Sequence, residues 1–100
     1  MRSPDAIKRR LTALTSELHA ARNEIAVLDE QIAHFADAAE DLRLRAMVSE
    51  TPLADREHRE ASKTVNNLTR DRQTWADRLV ALETKQDELL DDLMKNPGTQ

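Results

Sequence analysis

The run IKRRLTALTSELHAARNEIAVLDEQIAHFADAAEDLRLRA, residues 7–46, decides the fold. Its apolar residues Ile7, Leu11, Leu14, Leu18, Ala21, Ile25, Leu28, Ile32, Phe35, Ala39, Leu42 and Ala46 follow one another in alternating steps of four and three. Steps averaging about 3.5 residues hold one stripe of a helix toward a partner helix, the heptad signature of a coiled coil. Leu11, Leu18, Ile25 and Ile32 take a positions, and Leu14, Leu28, Phe35 and Leu42 take d positions.

The same steps resume after residue 50 and select Ala54, His58, Ala61, Val65, Leu68, Arg72, Trp75, Leu79, Leu82, Gln86, Leu89 and Leu93. The two seams mirror each other. Folded back antiparallel, an a residue of one helix meets a d residue of the other, in pairs whose numbers add to 100, such as Ile7 with Leu93 and Ile25 with Trp75. The flanking g positions give four opposite-charge pairs in that register, Arg45–Glu57, Glu24–Arg78, Glu17–Lys85 and Arg10–Asp92, and a slip of one heptad would bring like charges together. Exposed pairs are worth only about 0.2–1 kcal/mol each, so their expected role is to select register.

Punctuation agrees with the seams. Ser3-Pro4 and Thr51-Pro52 each offer a hydroxyl to cap free amides, followed by a proline that is harmless in a first turn. Asn96, Pro97 and Gly98 form a helix-ending cluster. The expected fold is all-α: a helix over about 4–48, a turn over about 49–51, a helix over about 52–95 and a flexible tail over 96–100. The two helices form one antiparallel coiled-coil hairpin. So thin a seam buries little, so the hairpin is expected to self-associate, most simply as a twofold homodimer forming a four-helix bundle.

Composition excludes several functions. With 34% charged residues, one glycine and two aromatics among 100 residues, the chain resembles long-helix proteins more than a globule with a deep pocket. Without cysteine it offers no disulfide, thiolate metal site or cysteine nucleophile. No apolar stretch reaches the length of a membrane span or resembles a signal peptide, so a cytoplasmic protein is expected. Eleven arginines against four lysines, with abundant alanine and aspartate, point to a GC-rich bacterial genome. The net charge of -4 divides evenly between the two halves, and the basic cluster Lys8, Arg9 and Arg10 faces acidic residues near Asp91. Direct nucleic-acid binding, which needs uncompensated cations, is therefore disfavoured, and no membrane partner is expected.

The residues that carry chemistry elsewhere do not converge here. His19 and His34 fall at solvent-facing b and c positions and His58 in the seam, and no metalloprotease helix, P-loop or dinucleotide turn is present. No enzyme, metal or cofactor is expected. The polar seam residues His58, Arg72 and Gln86 either reach water along a thin interface or restrict register and oligomeric state. Around the turn, Met47, Val48 and Leu53 fall off the seam and, with Arg56, are the candidate partner-binding residues. Thin alanine layers at Ala39–Ala61 and Ala46–Ala54 would allow close helix approach or leave a groove.

The turn reads Ser49-Glu50-Thr51-Pro52, which excludes the WXG hairpins with their Trp-x-Gly turn. In shape alone the hairpin resembles that of bacterial transcript-cleavage factors, whose tip is acidic, although here Glu50, Asp55 and Glu57 alternate with Arg45, Arg56 and Arg59. Two functions follow as expectations. The first is a non-enzymatic adaptor or regulatory subunit that binds a protein through the hairpin tip or groove. The alternative is a modulator of a nucleic-acid machine, RNA polymerase or ribosome, whose channel the tip would enter.

Overall fold

The computed structural model describes residues 3–95. The helix-ending cluster Asn96, Pro97, Gly98 and the tail that contains it lie outside the described residues. Two α-helices account for nearly all of the rest: α1, Pro4–Ser49, and α2, Pro52–Lys95. The fold is an all-helical hairpin, and the described residues contain no strand.

Both helices start on the hydroxyl residues that the sequence nominates. The Ala6 amide donates to Ser3 Oγ and the Ala54 amide to Thr51 Oγ1, each at 3.2 Å, so the caps satisfy amides that no helical carbonyl can reach. The end of α1 was not legible in the same way. Glu50 adopts φ 52°, the left-handed region, and its amide donates to the Ala46 carbonyl at 3.1 Å. That is the αL form of helix termination, usually made by glycine. Threonines inside the helices are accommodated by back-bonding, as when Thr12 Oγ1 donates to the Lys8 carbonyl at 3.0 Å and Thr69 Oγ1 to that of Val65 at 2.9 Å.

The described residues fall into two compact units. The first joins the chain up to Glu24 with the chain from Trp75 onward. Its centre is Ile7, Leu14 and Leu89, all fully buried, with Leu11, Leu82 and Leu93 packed against them. Leu18 and Ala21 are buried in the same unit. Burial of leucine and isoleucine on facing helix stripes is the main stabilising term here, at about 1.5–3 kcal/mol for each fully buried side chain. Arg22 and Glu83 form an ion pair across this unit at 3.7 Å.

The second unit, Ile25–Thr74, is a continuous helix–turn–helix segment. Its seam is thinner: Leu28 is buried, whereas Ile25, Ile32, Ala39, Leu42, Val65 and Leu68 are only half-buried. One seam assignment is corrected. Phe35, expected at an inward d position against Val65, is 39% exposed and packs edge-to-face on His34, with ring centroids 5.2 Å apart. Its neighbour Ala36 is half-buried instead. The displacement is local, since Leu42 one heptad on is half-buried and Arg43 exposed; beside the small layer of Ala39 and Ala61, two helices cannot cover a phenyl on all sides.

Candidate functional site

The turn presents the most apolar exposed surface in the second unit. Met47 is 63% exposed, Val48 86% and Leu53 61%, and Arg56 is exposed beside them. All four fall off the seam, which is why they have no facing layer to pack against, whereas Ala46 and Ala54 between them are half-buried. Met47 is held in part by Arg43, whose Nη1 donates to the thioether at 3.1 Å. The same guanidinium grips Glu40 through two bonds, at 2.9 Å from Nε and 2.6 Å from Nη2. This hydrogen-bonded partner holds the Glu40 carboxyl below its ordinary 4.5 and raises the Arg43 guanidinium above its own.

Next to Glu40 the two helices of the second unit part to form a groove of about 250 Å³. Ala36, Ala39 and Val65 give it an apolar floor, and Glu40, His58, Ser62 and Asn66 give it a polar rim. The small side chains at Ala36 and Ala39 leave the space, as the thin alanine layers in the sequence suggest they can. His58 is half-buried in this wall. His19 and His34 are exposed, and among the described residues no group of three His, Cys, Asp or Glu is arranged to hold a metal ion. No helix in the described residues is long and apolar enough to cross a membrane.

Arg72 lies half-buried at the edge of the seam, with its side chain 38% exposed. It reaches across to Asp29 of α1, where Nε donates to one carboxylate oxygen and Nη2 to the other, the latter at 3.3 Å. A bidentate guanidinium–carboxylate pair fixes geometry as well as charge. It holds the Asp29 carboxyl below its ordinary 3.8 and raises Arg72, the hydrogen bond being the largest cause in both. Gln86 is half-buried in the first unit.

The pair joins a seam residue to an e residue, off the g positions on which the charge pattern of the sequence is arranged. Asp29, Arg22 and Glu83 all occupy e positions, on the opposite flank of the seam, where two cross-helix ion pairs lie. The expected Arg45–Glu57, Glu24–Arg78 and Glu17–Lys85 pairs are not formed among the described residues. Lys85 instead lies 3.8 Å from Glu88 on its own helix. Long side chains on g positions gain little from reaching across water, and an i,i+3 neighbour costs less side-chain entropy. No protein-family model, curated protein or solved structure matches this chain.

Proposed function

We propose that the chain is a non-enzymatic coiled-coil interaction protein, an adaptor or regulatory subunit of the bacterial cytoplasm that binds a protein partner through its turn. On this reading the two helices run antiparallel and the hairpin self-associates as a twofold dimer. The observation that carries it is the apolar group Met47, Val48 and Leu53, each more than half exposed at the chain reversal. Leaving such residues in water gains nothing for the isolated fold, whereas a partner that covers them recovers their burial energy. Arg56 beside them adds a charged contact of the kind that sets orientation more than affinity.

Affinity capture from cell extract with the full chain, compared with a Met47→Asp/Leu53→Asp variant of unchanged helicity, tests the proposal. A stoichiometric protein retained by the native chain and lost with the variant supports it. Equal retention by both removes the turn as the binding surface. Retention of RNA polymerase or ribosomal proteins, lost in the same variant, would turn the adaptor into a modulator of that machine.

A further inference from the structure

We propose that the groove flank of the second unit, centred on Ala33, Ala36, Ser62 and Asn66, is the face through which a second copy of this chain docks; this rests on the self-association proposed above and assigns its surface. The two flanks of the unit differ sharply. On the helices of the groove flank, Asp29, Glu40 and Asp55 stand with Arg43 and Arg59, and Arg72 reaches onto the flank from the seam to bond Asp29, so the net charge is zero. On the other flank, Asp41, Glu57, Glu60 and Asp71 stand against Arg45 alone, giving -3. Two copies brought together on that acidic flank would set like charges against each other. On the groove flank they would not.

Four of the six charges of the groove flank are also committed before docking. Asp29 is bound to Arg72 and Glu40 to Arg43, each through both carboxylate oxygens. A charge already paired and hydrogen-bonded is less costly to cover than one that must give up only water. Between these pairs the surface is small and nearly neutral, and the groove supplies a recess with an apolar floor of Ala36, Ala39 and Val65. Alanine at such positions lets a neighbouring helix approach closely, as the core of a four-helix bundle requires.

The size of the face is sufficient. The α1 portion of this unit is about 36 Å long at ~1.5 Å per residue, and two helices side by side are about 18 Å wide. Each copy would cover roughly 650 Å², and a pair about 1,300 Å², within the range of specific dimers.

The chain with Ala33→Glu and Asn66→Glu adds two carboxylates to this flank at exposed positions, and Ala38→Glu with Asn67→Glu adds two to the acidic flank as the control. Sedimentation equilibrium should find the native chain and the control dimeric. The groove variant should be monomeric with its helicity intact, its dimer dissociation constant raised roughly a hundredfold or more. A groove variant as dimeric as the native chain overturns the assignment while leaving self-association standing; a monomeric native chain overturns both. Should the groove variant lose helicity, mixing it with Ala33→Lys/Asn66→Lys decides: recovery of helix and a one-to-one heterodimer supports the face, and no recovery counts against it.

Discussion

Truncating Leu89 to alanine strikes the centre of the first unit. Leu89 is fully buried against Ile7 and Leu14, with Leu11, Leu82 and Leu93 around it. The change removes three side-chain carbons, worth about 2.4 kcal/mol of transfer free energy at ~0.8 kcal/mol for each. A residual cavity adds to that, within the ~2–5 kcal/mol typical of buried leucine truncations. Because a pair of helices can close partly over the gap, the expected cost is about 3 kcal/mol. The matched control is Val80→Ala, since Val80 is 62% exposed in the same unit. That change should stay within about 0.5 kcal/mol and could gain slightly from the better helix propensity of alanine. Urea unfolding followed by circular dichroism and by Trp75 fluorescence, at one fixed protein concentration, reads both. If Leu89→Ala and Val80→Ala differ by less than about 1 kcal/mol, the packing described for this unit is wrong.

Four further outcomes are expected. The Asp29 carboxyl should titrate below its ordinary 3.8 by carbon-detected NMR and return toward that value in Arg72→Leu; a native midpoint at or above 3.8 contradicts the bidentate pair. Because folding lowers the pKa values of Asp29 and Glu40, their stabilising contribution is complete above about pH 5 and is lost as pH falls through the lowered values. The stability difference between the native chain and Asp29→Asn should therefore be flat from pH 5 to 7 and vanish toward pH 2, and a difference that grows on acidification would reverse the sign. At the turn, Thr51→Ala should cost about 1 kcal/mol by loss of the cap. Glu50→Gly should stabilise by about 0.5 kcal/mol because glycine occupies positive φ freely, part of that gain being offset in the unfolded chain; destabilisation in urea melts would argue against the left-handed turn.

The helices and their caps were legible because both depend on local rules. Heptad spacing from Ile7 to Ala46 depends only on which residues share a helical stripe, and Ser3 and Thr51 are capping residues wherever a helix starts. The thin end of the seam was also readable, since Ala39, Ala46, Ala54 and Ala61 announce small layers. The exposure of Phe35 was not, because it depends on how much of a large ring a thin pair of helices can cover rather than on spacing. Nor was the left-handed Glu50, since glutamate carries no preference for that conformation. The Asp29–Arg72 pair was not legible either, since it joins an e residue to a seam residue and the heptad pattern pairs seam with seam and flank with flank. The exposed group at the turn could be predicted from its place off the seam.

The hairpin itself can be tested by one distance. Arg9 and Asp91 are exposed on the two helices of the first unit, and the chain has no cysteine to interfere with labelling. With spin labels at both positions, and labelled protein diluted in unlabelled chain so that only intramolecular pairs count, dipolar spectroscopy should give a single separation of about 25 Å or less, set by a helix spacing of about 8–10 Å plus the two label arms. A chain whose helices continued in one direction would hold those positions about 120 Å apart at ~1.5 Å per residue, and the absence of any short distance would contradict the fold on which the turn, the groove and the docking face all depend.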